Sequence, residues 1–222
     1  REAPKGVDPR TMHTVTVTAR SIASLKRNIN NLIKFLAENP ETTLPSLAYT
    51  TTARRIQHNY RVAICVDDMS KVKDALQAQL KDSYNPLPMV PTKTAFTFTG
   101  QGSQYTGLGQ KLYEDLESFK LDIDQLDNIA RLHGLPSFLP LLTGTDVATL
   151  SPVVVQLGMA CIQVALARMW ESWGIKPVAV VGHSLGEYAA LHVASVISAS
   201  DMVLLVGRRA EILEQECTAG TH

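Results

Sequence analysis

Residues 13–18 read HTVTVT, a strict alternation with Val15 and Val17 on one face, and predict a β-strand. Ser21 is placed to cap a helix. Ile22, Leu25, Ile29, Leu32, Ile33 and Leu36 then recur at helical spacing until Asn39-Pro40 stops the run. Leu44–Ala53 predicts a short helix and Tyr60–Val66 (YRVAICV) a second strand. Ser70–Leu80 predicts a second main helix, with Val72, Ala75, Leu76 and Leu80 on one side. The first ten residues, with two prolines, read as an extended linker. Lys81–Lys93 has little periodicity and carries Pro86, Pro88 and Pro91, so it also reads as a linker. The expected organisation is a small α/β domain over 1–93 and a second domain over 94–222.

The second pattern opens with a short strand, Ala95–Phe98 (AFTF), which runs into Gly100-Gln101-Gly102-Ser103-Gln104. Helical segments follow to about Asn128, and Pro136 and Pro140 interrupt the middle. Val153–Trp173 predicts a long amphipathic helix with Leu157, Cys161, Val164, Ala165 and Met169 on one stripe, ended by Gly174. Val178–Val181 predicts a buried strand, and Leu185–Val196 and Asp201–Cys217 the last helices. Apolar strands alternating with helices predict a parallel sheet with flanking helices, an α/β class.

Composition narrows the functional classes. Apolar residues make up 45% of the 222 and charged residues 19%, enough for a well-buried core. Formal net charge is zero, which argues against nucleic acid or an anionic membrane surface as partner. No apolar run reaches the roughly 20 residues of a membrane span. Cys65, Cys161 and Cys217 are odd in number and widely spaced. They fit neither a disulfide framework nor a metal site, so no metal is expected. Reduced, buried thiols in a cytoplasmic setting are the expectation.

The chemistry concentrates at Gly182-His183-Ser184-Leu185-Gly186, a G-x-S-x-G run between a predicted strand and a predicted helix. That setting matches a nucleophile elbow, in which a sharp turn lifts the serine hydroxyl to the end of the sheet. Side chains at 182 and 186 would collide with the neighbouring strand and helix. The helix after Ser184 turns its free N–H groups toward the same spot, which places the Leu185 N–H to bind an oxyanion. His183 adjoins Ser184, but adjacent side chains on a tight turn point apart, so it reads as a lining residue and not a base. Gly100–Gln104 (GQGSQ) also follows a strand directly; alone it is either a plain loop or a backbone donor loop. Arg208 and Arg209 sit on a mostly apolar helix. Each must reach solvent, an acidic neighbour or an anion in the site.

Together, GQGSQ, GHSLGEY and an arginine about 25 residues past the serine resemble the malonyl-CoA:acyl-carrier-protein transacylase family. The resemblance spans about Thr94–His222. The preceding part, with LAYTTTARRIQHNYRVAI at 47–64, resembles the linker domain between ketosynthase and acyltransferase in multidomain synthases. Both parts are most similar to iterative, non-reducing fungal polyketide synthases.

This resemblance implies an α/β-hydrolase-like large subdomain and a ping-pong acyl transfer. Ser184 matches the acyl-accepting serine, Gln101 and Leu185 the two backbone oxyanion donors, and Arg209 the arginine that pairs with the malonyl carboxylate. Arg208, one residue off, is expected to face elsewhere. Leu185 after the serine is similar to the malonyl-type version of the family, not the methylmalonyl-type. Malonyl-CoA is the implied substrate, and the phosphopantetheine of an acyl carrier protein the implied acceptor. The implied covalent neighbour is a ketosynthase domain of the same polypeptide, and no cofactor is bound by this chain. The family's general-base histidine would fall beyond residue 222. His13, His58, His133, His183, His192 and His222 match no such place. The chain is therefore expected to be a fragment, incomplete at its C-terminal end and inactive alone.

Two other readings stay open. The elbow is shared with serine esterases and thioesterases, although the HGGG-type loop of those enzymes is absent. Residues 1–93 show no catalytic constellation and read as a structural spacer. Arg54, Arg55, His58 and Arg61 form a solvated or interdomain contact face there.

Overall fold

A computed structural model describes residues 10–88 and 92–216. The rest of the opening linker, part of the Lys81–Lys93 linker, Cys217 and His222 lie outside the described residues. The chain divides into two compact units, Arg1–Thr92 and Lys93–His222.

In the first unit, β1 (His13–Ala19) pairs antiparallel with β2 (Tyr60–Val66), His13 opposite Val66 and Ala19 opposite Tyr60. The alternation puts Val15, Val17 and Ala19 inward beside Val62, Ile64 and Val66. Helices α1 (Ile22–Glu38), α2 (Leu44–Ala53) and α3 (Met69–Gln79) cover that face. They contribute Leu25 and Ile29, Leu44 and Leu47, and Val72 and Leu76 to one core. Ser21 caps α1 by accepting from the Ser24 N–H, and Asp68 caps α3 by accepting from Ser70. Cys65 alternates onto the solvent face of β2 and is exposed, contrary to the expectation of a buried thiol.

The second unit places two parallel strands, β3 (Thr94–Phe98) and β4 (Pro177–Gly182), side by side, with Phe98 opposite Gly182. Between them run α4 (Gln110–Asp115), α5 (Glu117–Leu132), α6 (Leu139–Leu142) and α7 (Pro152–Ser172). After β4 come α8 (Gly186–Val193) and α9 (Ala199–Glu216). The architecture is α/β, with parallel strands flanked by helices, as expected.

Three expectations are corrected. Helix α7 is not amphipathic in its first half: every residue from Val153 to Ile162 is buried, because α5, α6, α8 and α9 pack around it. It is also long and apolar enough to cross a membrane, which the sequence reading missed. However, 72% of its apolar window is already buried within the protein. Among the described residues one face of strand β4 is uncovered, with Val178 66% exposed and Val181 60% exposed. Helices cover only the face that carries Phe96, Phe98 and Val180. Helix α8 ends at Val193 and not at Val196, because Ser195 turns to φ 61°, outside the helical region.

Candidate functional site

The backbone builds the elbow before any side chain acts. β4 delivers Gly182, the His183 N–H donates to the Phe98 carbonyl at 3.0 Å, and Ser184 turns to φ 51°. The chain closes the turn through Gly186 N–H to His183 O at 2.9 Å and Glu187 N–H to Ser184 O at 3.1 Å. A left-handed non-glycine residue costs about 1–2 kcal/mol. The fully buried Leu185 side chain supplies about 1.5–3 kcal/mol by leaving water, so the strain is held by the core below it.

Both elbow glycines are sterically required. A Cβ at Gly182 would overlap the backbone of Glu187, and one at Gly186 would overlap the carbonyl oxygen of Phe98. One lies against the helix and the other against the strand. Gly100 is the third close approach. A Cβ there would stand 2.9 Å from His183 Nδ1 and 3.3 Å from Ser184 Cβ. The GQGSQ loop therefore lies directly against the elbow. Gly102 takes φ 111°, and its N–H donates to Gln104 Oε1 at 2.8 Å.

Two N–H groups at this junction, those of Gln101 and Leu185, donate to nothing among the described residues. The Ser184 hydroxyl also makes no hydrogen bond among the described residues, and Ser184 is exposed. His183 is exposed and does not bond to it. His192, on α8, is committed elsewhere: its Nδ1 meets Ile197 O at 3.1 Å and its Nε2 faces Arg168 at 3.4 Å. His133 pairs with Ser200 Oγ at 2.8 Å.

Helix α9 brings the arginine. Its start is fixed by a reciprocal cap: the Asp201 N–H donates to Ser198 Oγ at 3.0 Å and the Ser198 N–H to Asp201 Oδ2 at 3.3 Å. The hydroxyl and N–H of Ser198 hold the Asp201 carboxyl below its ordinary value. Arg208 is exposed and engaged with Glu211 Oε2 at 2.6 Å and His133 O at 3.1 Å. Arg209 is half-buried and forms no ion pair among the described residues. Its Nη1 donates to Gln156 Oε1 at 2.7 Å, and Gln156 Nε2 donates to Gln101 Oε1 at 3.3 Å. The structure thus brings Ser184, Leu185, Gln101 and Arg209 into one neighbourhood and leaves Arg208 outside it.

The sequence reading missed Gln156. Its signal was present: one amide inside VVVQLGMACI, where every other position from 153 to 162 is apolar or glycine.

Comparison with known proteins gives the family. The family described as acyl transferase domain matches residues 95–221, and that described as CurL-like, PKS C-terminal matches residues 13–76. The non-reducing polyketide synthase Preu8 of Preussia isomera is 78% identical over all of this chain. The conidial pigment polyketide synthase alb1 of Aspergillus fumigatus is 49% identical over 98% of it. The chain spans about a tenth of the length of each. Among solved structures, the acyl transferase domain of ZmaA superposes with TM-score 0.84 at 25% identity, over 95% of this chain and 50% of its own. The acyl transferase domain of SpnD, in complex with 2-(pent-4-yn-1-yl)malonyl, gives 0.80 at 26% identity, over 92% of this chain and 50% of its own. The chain belongs to the acyl transferase domain family of polyketide synthases, preceded by a CurL-like PKS C-terminal region.

Proposed function

We propose that this chain carries the malonyl-loading site of a non-reducing polyketide synthase. Ser184 Oγ attacks the thioester carbonyl of malonyl-CoA and gives its proton to a base. The tetrahedral oxyanion is held by the N–H groups of Leu185 and Gln101, each contributing about 3 kcal/mol at the transition state. Collapse expels CoA as its thiol, with the proton returned by the base, and leaves a seryl ester. The phosphopantetheine thiol of an acyl carrier protein then gives its proton to the base and attacks that ester, forming the malonyl thioester and releasing Ser184 Oγ, which regains the proton.

Arg209 selects a substrate with a terminal carboxylate by pairing with it. The observation that carries this reading is the state of Arg209: a half-buried guanidinium, linked through Gln156 to the loop that packs on the elbow, that meets an amide and no carboxylate among the described residues. The substituted malonyl group named for SpnD supports the same substrate class. No described group accepts the Ser184 proton, so the reading requires a base from elsewhere in the polypeptide, and residues 10–216 alone would not turn over. Loss of such a base costs up to about a millionfold in a serine hydrolase.

In this reading residues 1–93 are the linker domain between ketosynthase and acyltransferase, and 94–222 the first part of the acyltransferase. The ketosynthase of the same polypeptide and the carrier protein are the partners, and the setting is cytoplasmic. The experiment that tests the reading compares acyl loading of wild type and Arg209→Ala, in the complete synthase, with malonyl-CoA and acetyl-CoA. Wild type should favour malonyl and Arg209→Ala should lose that preference. A serine esterase or thioesterase would show neither effect.

A further inference from the structure

We infer that Gln156 is a positioning residue that holds the substrate-binding arginine and the oxyanion loop in one hydrogen-bonded chain; the inference rests on the acyl-transfer reading above. Gln156 is 2% exposed on α7, between Val155 and Leu157, which are also buried. A primary amide buried that deeply is retained at a cost unless both of its ends are bonded. Both are. Its carbonyl accepts from Arg209 Nη1 at 2.7 Å, and its amide nitrogen donates to Gln101 Oε1 at 3.3 Å. A guanidinium can only donate, so Arg209 fixes which end of Gln156 is oxygen, and Gln156 in turn fixes the amide of Gln101. Three segments far apart in sequence, the loop after β3, α7 and α9, are thereby tied at one buried point.

The neutrality of the amide is the functional element. Arg208, next in the chain, is paired with the Glu211 carboxylate. Arg209 is held by a carbonyl that orients one nitrogen and leaves its charge uncancelled. Its Nε and Nη2 have no partner among the described residues. Those two nitrogens form a fork that suits a carboxylate. A carboxylate at 156 would occupy the arginine from within the protein. The same bond chain anchors the side chain of Gln101, whose N–H is the proposed oxyanion donor.

The test measures acyl loading by the complete synthase with malonyl-CoA and acetyl-CoA, for Gln156→Glu, Arg209→Ala and the double variant. Gln156→Glu, nearly isosteric, should raise KM for malonyl-CoA by about tenfold or more, the size of a charged hydrogen bond. KM for acetyl-CoA should stay within about twofold. In the Arg209→Ala background the same change should leave the malonyl-to-acetyl ratio where Arg209→Ala alone puts it. Should Gln156→Glu fail to fold, Gln156→Met, which removes both bonds, is measured the same way with the same expected loss of ratio. Parallel losses for both substrates, or an unchanged ratio, would overturn the positioning role while leaving the malonyl reading intact. Wild type without malonyl preference, or Arg209→Ala retaining it, would overturn that reading and this inference together.

Discussion

A side chain at Gly100 would stand 3.3 Å from the Cβ of Ser184, so the loop after β3 and the elbow after β4 touch where one of them must lack a Cβ. The relationship follows from the register. Phe98 lies opposite Gly182, and both strands end at that pair. Gly100→Ala should therefore displace the loop by a few tenths of an ångström. Loading of Ser184 should fall by about tenfold or more, because a donor out of place at an oxyanion costs several kcal/mol at the limit. Single-turnover loading measured beside thermal unfolding checks this, since the fold itself should lose little.

Ser184 carries backbone strain at φ 51°. Ser184→Gly should be more stable than Ser184→Ala by about 1 kcal/mol, because glycine takes a left-handed conformation without a Cβ clash. Neither variant should load an acyl group. Chemical denaturation of the two variants side by side measures the difference; equal stabilities would mean that the elbow is unstrained.

The sequence made the elbow legible and hid what surrounds it. Ser21 and Gly182 act through neighbours within a few residues, and the G-x-S-x-G spacing marks Ser184 and Gly186, so local pattern exposes all four. The clash at Gly182 lies within the turn, whereas the clash at Gly186 is with Phe98 on β3. Gln156 acts through Gln101 and Arg209, each more than fifty residues away, and no local period encodes such a pairing. Helix α7 reads as a stripe because its apolar positions include the heptad-like set, but from Val153 to Ile162 the other positions, Gln156 apart, are also small or apolar, and four helices pack on it.

Asp127 should prove structural. It is 1% exposed and fully engaged. Its carboxylate accepts from Ser137 Oγ at 2.7 Å and Phe138 N–H at 3.0 Å, and pairs with Arg131 at 2.7 Å. Asp127→Ala leaves those donors unmatched and should destabilise the protein by about 3 kcal/mol. The malonyl-to-acetyl loading ratio of the surviving folded protein should not change. A shifted ratio would show that Asp127 reaches the site.

The two described cysteines should separate by reactivity. Cys65 is exposed on β2, and Cys161 is fully buried, its thiol pushed up by burial. In a Cys217→Ser background, native alkylation should modify Cys65 and spare Cys161. Because the folded thiol stays protonated where the unfolded one ionises, Cys161 contributes stability that is present below pH about 8.5 and is lost as pH rises above it. The loss should approach about 1.4 kcal/mol per pH unit. Cys161→Ala should lack that component of the alkaline decline, and denaturation midpoints at pH 8 and pH 10 measure it.

In the proposed reaction Ser184 Oγ is the atom that carries the malonyl group. The most direct measurement is peptide mapping by mass spectrometry of the complete synthase after brief exposure to malonyl-CoA, with the carrier-protein thiol blocked. A malonyl ester is expected on the peptide containing Gly182–Gly186, assigned to Ser184 by fragmentation and absent in Ser184→Ala. A malonyl group found elsewhere, or a loaded Ser184→Ala protein, would contradict it.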